Sequence, residues 1–238
     1  MSDIAFIVNV FQDEPFAVDL IRQIRAHYPG SEILVICDGP ADPWFRRKCL
    51  AYKLNYYEGG RLKDRSSCEW SIRMFSLAAE LEADVIIKID PDCVLNNPIQ
   101  LPDVFDVAAS TRGQTVLGGC IAFRHEVVKR LHEFSQNYKG EVYYGSRSTF
   151  MQPLHSQDRL INAAIKELHL KLQCLPNGGV NWAYPPLNPE TFDVIHPRLD
   201  SIPLLGQSCF LGRKQVSPVI HKQAQQFWEA HKARVSYR

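Results

Sequence analysis

The sequence lacks an apolar run that could cross a membrane, since none approaches the ~18 consecutive apolar residues that a span needs. Its start, Met1-Ser2-Asp3, has neither a basic region nor a long apolar run, which argues against a signal peptide. A strong charge of one sign is also missing, because 27 basic residues oppose 26 acidic ones and the net charge is +1. Such a balance gives no global field that would attract nucleic acid. We therefore expect a cytoplasmic protein with no transmembrane segment and no nucleic-acid partner.

Paired cysteine motifs are absent as well, because the seven cysteines are scattered and none has CxxC spacing. Several fall in apolar, strand-like runs, where cysteine behaves as a small hydrophobic side chain, and this usage indicates a reducing compartment. There is no internal repeat and no low-complexity tract. A content of 45% apolar and 22% charged residues is ordinary for a globular enzyme. We expect a single domain over residues 1–238.

Strand and helix patterns alternate through the first part of the chain. Residues 4–10 form an almost unbroken apolar run, which predicts a first central strand, and apolar residues at helical spacing follow it. The next predicted elements are a strand over 32–37, a helix over 42–54, a short strand at Tyr56-Tyr57, a helix from Ser66 or Ser67 to about Leu81, and a strand over 85–90. This order is typical of an open, doubly wound α/β sheet, mainly parallel, with helices on both faces.

The second part of the chain is less regular. It contains predicted strands over 104–110, 116–123 and 172–175, and predicted helices over 126–134 and from Ser156 to about His169. Residues 135–153 are polar and aromatic without a clear period, which predicts a long loop. From Asn177 onward glycine, proline and aromatic residues indicate an irregular layer rather than a separate domain.

The predicted strand over 85–90 ends abruptly in two carboxylates one residue apart, Asp90 and Asp92. Its apolar, β-branched composition is typical of a strand covered on both faces. Pro91 stops it, because proline cannot donate to the sheet ladder and favours an extended Asp90. Open α/β sheets bind ligands at the carboxyl ends of their strands, so we expect both acids to face solvent or a ligand. The alternative is a strand-end turn with a helix cap.

Acid-x-acid pairs also arise by chance, and 26 acidic residues in 238 should give roughly three of them. The other two pairs, Glu80/Glu82 and Glu82/Asp84, lie where a helix ends, and we expect them to form a solvated face. The position of Asp90 and Asp92 after a hydrophobic strand is therefore what distinguishes them.

Taken in order, these features resemble the pattern of GT-A nucleotide-sugar glycosyltransferases over essentially the whole chain. The shared features are an apolar first strand with a loop at Val10-Phe11-Gln12, a second strand ending in Asp38-Gly39, the DxD-like Asp90-Pro91-Asp92, a Gly118-Gly119 strand followed by Arg124, an acid opening a helix at Asp158, and a late strand-end histidine at His221. The resemblance implies a GT-A fold with a nucleotide-sugar-binding half at 1–97 and an acceptor-binding half at 98–238. It implies an enzyme that transfers a sugar from a nucleotide-diphosphate donor, expected to carry uridine, to an unknown carbohydrate or other hydroxyl acceptor.

The resemblance also implies a divalent cation, Mn²⁺ or Mg²⁺, held by Asp90 and Asp92, with Asp90 contacting the nucleotide sugar as well. A hard cation bridging the phosphate oxygens stabilises the charge on the departing nucleoside diphosphate. His221 is the expected additional ligand, because similar enzymes place a histidine on a late strand and imidazole suits Mn²⁺. His196 ends a similar short run and competes with it, and either histidine could instead be a hydrogen-bonded structural residue.

The remaining nucleotide-sugar contacts are predicted at Phe11, Asp38 and Arg65. Asp38 could accept a hydrogen bond from the base or ribose, as an acid after the second strand does in dinucleotide-binding folds, although Asp-Gly-Pro is also a common turn. Phe11 could flank the base or belong to the core. Arg65 is the preferred member of a basic loop with Arg61 and Lys63, for which a solvated surface cluster is the alternative.

Asp158 is the predicted catalytic residue at the acceptor. In an inverting transferase a carboxylate near the anomeric carbon removes the proton of the acceptor hydroxyl, and a helix N-terminus can hold such an acid in place. The run from Gln157 to Leu160 resembles the Asp-Gln-Asp motif of retaining members, but Ser156 replaces its first acid. This favours inversion and leaves the stereochemistry open. The alternative for Asp158 is a plain helix N-terminal charge.

Two other functions are compatible with the same pattern. A sugar nucleotidyltransferase would carry a glycine-rich loop after the first strand, and residues 9–14 contain no glycine. A non-catalytic sugar- or nucleotide-binding module would keep the fold around a vestigial site. Binding of UDP without turnover of a donor would distinguish this module from an enzyme.

Overall fold

The computed structural model describes residues 3–11, 13–62, 67–112, 115–138, 157–179 and 192–195. The elements in chain order are β1 Ile4–Val10, α1 Glu14–His27, β2 Ile33–Asp38, α2 Pro43–Ala51, β3 Asn55–Gly59, α3 Ser67–Ala78, β4 Val85–Ile89, β5 Val94–Leu95, β6 Val107–Arg112, β7 Thr115–Arg124, α4 His125–Asn137, α5 Gln157–Glu167, β8 Leu172–Cys174, β9 Gly178–Gly179 and β10 Val194–Ile195. Among the described residues no helix is long and apolar enough to cross a membrane.

The main sheet has seven strands in the order β3-β2-β1-β4-β7-β6-β8. Its neighbouring strands are parallel except at β7, which runs antiparallel to both β4 and β6. Helices α1, α2 and α3 connect β1 through β4, so the predicted β-α-β-α-β-α-β order is confirmed. The second, three-stranded sheet has the order β5-β10-β9.

Helices cover both faces of the main sheet, and β4 shows how the core is divided. Val85, Ile87 and Ile89 belong to the hydrophobic cluster that includes α1 and α2, whereas Ile86 belongs to the cluster with α3, α4 and α5. This alternation follows from the two-residue period of a strand. Every residue of β4 is buried, including Lys88 at 3% exposure, as expected for a strand covered on both faces.

The parallel strands β1 to β4 end at one edge of the sheet, called here the carboxyl edge. The register pairs Val10 with Cys37, and Val8 with Ile89, so β1, β2 and β4 end close together. After β3 the chain returns to form β4 on the other side of β1, which makes the β1–β4 boundary a topological switch point. In open α/β sheets this is where ligands bind.

Several predicted boundaries differ from the structure. The helix predicted over 42–54 is shorter, since the Asp42 side chain caps it by accepting from the Trp44 amide and Lys53 leaves helical geometry with a φ of 53°. The helix predicted to reach His169 ends at Glu167, and His169 has a φ of 51°. A left-handed residue after the last turn is a common way to end a helix. The strand predicted from Val104 begins at Val107, because Val104 is exposed.

Candidate active site

The carboxyl edge brings four of the predicted site residues together. Phe11 follows β1, Asp38 ends β2, and Asp90 and Asp92 follow β4. The Asp90 amide donates to the Gly119 carbonyl at 2.8 Å, and the Cys93 amide donates to the Asp90 carbonyl at 2.9 Å. The first hydrogen bond holds the start of the turn against β7, and the second closes the turn around Pro91. By contrast Glu80, Glu82 and Asp84 are all exposed, which confirms the solvated face expected for them.

The Asp90 carboxylate contacts a lysine that the sequence pattern did not assign to the site. Lys88 Nζ lies 2.5 Å from Asp90 Oδ1, and the Lys88 side chain is 4% exposed, compared with 25% for Asp90. Lys88 also donates to the Gly118 carbonyl. Residues two apart on a strand share a face, so a single lysine in an otherwise apolar strand, two residues before an acid, is the signal that could have predicted this pair.

Asp92 is partly exposed, and its neighbour Cys93 is buried. The Cys93 thiol donates to the Gly119 carbonyl at 3.2 Å. Burial, followed by the negative charges of Asp92 and Asp90, raises the pKa of this thiol well above its ordinary value. Both carboxylates therefore act on the same small region at the end of β4.

The donor set at this position fits a hard divalent cation only in part. Carboxylate oxygens are the ligands that Mg²⁺ and Mn²⁺ prefer. Within the described ranges, however, no three or more His, Cys, Asp or Glu side chains are grouped so as to hold a metal ion. A cation at Asp90 and Asp92 would therefore need further ligands from phosphate oxygens, water or other parts of the chain. His196 and His221 both lie outside the described residues.

Asp38 is 2% exposed, and its carboxylate has partners within the protein. Its Oδ1 accepts from the Leu62 amide at 2.7 Å and from Arg73 Nη1 on α3 at 3.4 Å. The Arg73 guanidinium also lies 5.7 Å from the centroid of the Tyr57 ring. Asp38 thus joins the end of β2 to α3 and to the segment after β3, a connection between residues far apart in sequence that the pattern did not predict.

Phe11 lies at the edge of the sheet and is only half-buried. The Cζ atom of Arg61 lies 3.7 Å from the centroid of its ring. Gly39, which packs against this ring, has a φ of +124°, a backbone angle that favours glycine. Arg61 is the basic loop residue that the structure places against Phe11, whereas Lys63 and Arg65 lie outside the described residues.

Asn9 is a polar residue within the apolar strand β1. Its Oδ1 atom is buried with no hydrogen bond among the described residues, while its Nδ2 lies 3.7 Å from Met74 Sδ. The register pairs Val8 with Ile89, which places Asn9 beside the end of β4 that precedes Asp90. An unsatisfied buried acceptor calls for a donor from water or a ligand. In the sequence, the only sign of this buried acceptor is that Asn9 is a polar residue in an apolar strand.

Asp158 is the second residue of α5, and its side chain is not described. Asn162, four residues later, lies on the same side of the helix. Its Oδ1 accepts from the Val116 amide at 2.9 Å, and its Nδ2 donates to the Val116 carbonyl at 3.5 Å. Because β7 is antiparallel to β4, its first residues lie at the carboxyl edge, so Asn162 fixes the N-terminal half of α5 near that edge.

No protein-family model and no curated protein matches this sequence. Solved structures do match. The glycosyltransferase GlyE of Streptococcus pneumoniae TIGR4 matches with a TM-score of 0.54 over 96% of this chain and 60% of its own, at 12% identity. The apo WbbM bifunctional glycosyltransferase matches with a TM-score of 0.55 over 82% of this chain and 45% of its own, at 11% identity.

The chain has the GT-A fold. This confirms the fold expected from the order of motifs, and at these identities the likeness concerns the fold alone. The chain spans less than two thirds of the length of GlyE, and less than half that of WbbM. The activity of a protein with this fold depends on the side chains that the fold brings to its carboxyl edge.

Proposed function

We propose that this protein is a metal-dependent glycosyltransferase that moves a sugar from a nucleotide-diphosphate donor, a UDP-sugar, to a hydroxyl acceptor with inversion. The observation that supports this most directly is the placement of Phe11 after β1, and of Asp90 and Asp92 after the adjacent β4, at the switch point of a GT-A fold. An aromatic residue and two carboxylates at the ends of adjacent strands would offer a surface for a base and ligands for a cation at one edge of the sheet, which is what a nucleoside diphosphate requires.

Asp90 and Asp92 would hold Mn²⁺ or Mg²⁺, with His221 as an additional ligand and His196 as the competing choice. When bound, the cation would stabilise the negative charge on the departing phosphate. The contact with Lys88 is compatible with this role, because a carboxylate has two oxygens and about four lone-pair positions. Backbone hydrogen bonds from the Asp90 amide to Gly119 and from the Cys93 amide to Asp90 hold the turn at Pro91, so a ligand would meet a preformed edge.

Phe11 would flank the base, and Arg65 would contact the sugar or diphosphate. Asp38 would accept a hydrogen bond from the base or ribose while it keeps its contacts with Leu62 and Arg73. A role in donor binding would therefore be additional to its structural role. We also propose a cytoplasmic location. The described cysteines carry free thiols, and thiols stay reduced in the cytosol.

Asp158 would act as general base at the acceptor hydroxyl. Asp158 is the second residue of α5, and a helix N-terminus is a position that can hold such an acid in place. The link from Asn162 to Val116 keeps the start of this helix near the carboxyl edge, where the anomeric carbon of a bound donor would lie. Direct attack by the activated hydroxyl inverts the configuration at that carbon.

Calorimetry with UDP and GDP, each with and without Mn²⁺, followed by a hydrolysis screen of nucleotide sugars, tests the proposal. We expect UDP binding that requires Mn²⁺ and slow release of sugar from one donor. Binding without any turnover would support a non-catalytic module. Formation of a UDP-sugar from UTP and a sugar 1-phosphate would instead identify a nucleotidyltransferase, and failure to bind any nucleotide would overturn the proposal.

A further inference from the structure

Lys88 places a positive charge inside the proposed cation site. Its side chain is 4% exposed, and its ammonium contacts Asp90 Oδ1 at 2.5 Å and the Gly118 carbonyl. Removing an ammonium from water costs much of its hydration free energy, so a buried lysine persists only where a carboxylate and further hydrogen bonds compensate it. Both kinds of partner are present here.

Packing alone does not require a charge at this position. Lys88 is opposite Ile7 on β1 and Ile121 on β7, both fully buried apolar residues, and the rest of β4 is apolar. An unbranched apolar side chain such as methionine has a similar shape and would fit without desolvation.

The charge balance at the end of β4 has a direct consequence for ligand binding. Asp90 and Asp92 together carry a charge of −2, and the ammonium of Lys88 brings the net charge of the three residues to −1. A less negative site attracts a free divalent cation less strongly. Once the cation is bound, the same site has a net positive charge and attracts a diphosphate more strongly than it would without the lysine.

We propose that Lys88 is a positioning residue that holds the Asp90 carboxylate and sets the charge of the site, so that the divalent cation binds together with the nucleoside diphosphate rather than alone. The inference depends on the proposed function, because it takes Asp90 and Asp92 as cation ligands. It assigns to Lys88 opposite effects on two ligands: weaker binding of free Mn²⁺ and tighter binding of UDP in the presence of Mn²⁺.

The test is Lys88→Met, with Mn²⁺ binding to the nucleotide-free protein measured by electron paramagnetic resonance and UDP binding at saturating Mn²⁺ measured by calorimetry. We expect the Mn²⁺ Kd to fall roughly tenfold and the UDP Kd to rise roughly tenfold, as loss of one nearby charge implies. Lys88→Arg, which keeps the charge, should stay close to wild type in both. Lys129→Met removes the same charge from an exposed position on α4 and serves as the control.

A merely structural role predicts that both affinities weaken together, and that result would overturn the inference. Lys88→Gln provides a second neutral variant that can still hydrogen-bond, in case Lys88→Met does not fold. It must show the same two opposite shifts, and unchanged affinities in folded Lys88→Gln would also overturn the inference. If wild type binds UDP with Mn²⁺ while the variants fail this test, only the role of Lys88 falls. If wild type does not bind UDP at all, the proposed function falls with it.

Discussion

The guanidinium of Arg61 lies over the ring of Phe11, with Cζ 3.7 Å from the ring centroid. This contact joins the segment after β3 to the end of β1, on the edge of the sheet where the acids of β4 lie. A planar cation on an aromatic face occupies the kind of surface on which a nucleotide base stacks. A base that binds at Phe11 therefore either shares the ring with Arg61 or displaces it from that face.

Phe11→Leu should weaken UDP binding by roughly tenfold, because base stacking on an aromatic side chain contributes about 1–3 kcal/mol. The free energy of unfolding should change by less than about 1 kcal/mol, the usual size of a cation–π contact near the surface. Calorimetry and urea unfolding measure the two quantities. Phe11→Tyr keeps the ring and should bind UDP as wild type does. Loss of stability with unchanged affinity would identify Phe11 as a core residue.

Asp38→Asn should lower the free energy of unfolding by about 2 kcal/mol, because hydrogen bonds to a charged group contribute about 1.5–3 kcal/mol. The variant leaves Arg73 beside a neutral amide at a position that is 2% exposed. Urea unfolding of Asp38→Asn, Arg73→Met and the double variant measures the coupling. If the two substitutions change the free energy of unfolding additively, Asp38 and Arg73 do not interact. Unchanged stability with weaker UDP binding would mean that Asp38 acts mainly on the base or ribose.

Asp92→Ala should abolish Mn²⁺-dependent donor turnover and leave the melting temperature nearly unchanged, because its side chain lies at the partly exposed end of β4. Glu82→Ala is the matched control, since it removes an exposed acid from a neighbouring acid-x-acid pair. Donor hydrolysis across a Mn²⁺ titration measures the effect. Unchanged turnover in Asp92→Ala would reject the assignment of a cation to this strand end.

Asp158→Asn should lower the rate of sugar transfer by about 10²–10⁴-fold, the usual contribution of a positioned general base. The UDP Kd should not change, because the proposed role concerns the acceptor. Glu167→Gln makes the same chemical change at the exposed end of α5 and should leave the rate unchanged. Transfer kinetics and calorimetry separate the two quantities, and an equal loss of both in Asp158→Asn would indicate a structural role.

Buried thiols should make stability fall in alkaline solution. Burial raises the pKa of Cys120 from its ordinary value of 9.0 to about 12, and that of Cys49 to about 11. Above pH 9 these thiols ionise in the unfolded chain but not in the folded protein, so their stabilising contribution is complete below pH 9 and is lost as the pH rises towards 12. Urea unfolding between pH 7 and pH 10.5 should show a falling midpoint. A midpoint independent of pH would contradict the burial of these side chains.

Cysteine labelling gives an independent check on the same burial. Of the five described free cysteines, Cys174 is exposed and the other four are buried. Of these five, iodoacetamide should therefore modify Cys174 first, and Cys93 and Cys120 only on unfolding, because reaction requires an accessible thiolate. Mass spectrometry of the labelled peptides measures the order. Early modification of Cys93 in the folded protein would show that the end of β4 is open.

The order of strands and helices up to β4 was predictable because each element has a strong local pattern. β1 matches the predicted range Ile4–Val10, since an apolar run bounded by polar turn residues leaves little choice of limits. The residues at which α2 and α5 end were not predictable. Lys53 and His169, which follow these helices, take positive φ values that non-glycine residues rarely adopt. Local hydrogen bonds close both helix ends, from the Leu54 amide to the Cys49 carbonyl and from the Leu170 amide to the Ile165 carbonyl, but no glycine marks either position in the sequence.

The candidate site was only partly predictable. Asp90 and Asp92 could be chosen from their position after a buried strand. The residues that contact Asp38 and Phe11 could not be predicted. Arg73 is 35 residues from Asp38 in sequence, and Arg61 contacts Phe11 from another loop. Lys88 interrupts an apolar strand, but only its depth and its contact with Asp90 show that its charge belongs to the site.

The sequence by itself determined that the segments of β1 to β4 become strands, that these four strands run parallel, and that two acids follow the end of β4. These follow from hydrophobic period and from proline, which act within a few residues. Only the tertiary structure decided that Asp38 is bound by Arg73 and Leu62 and that Lys88 neutralises part of the acid pair. The reason is that burial and charge pairing depend on which distant side chains meet, and local pattern carries no information about that meeting.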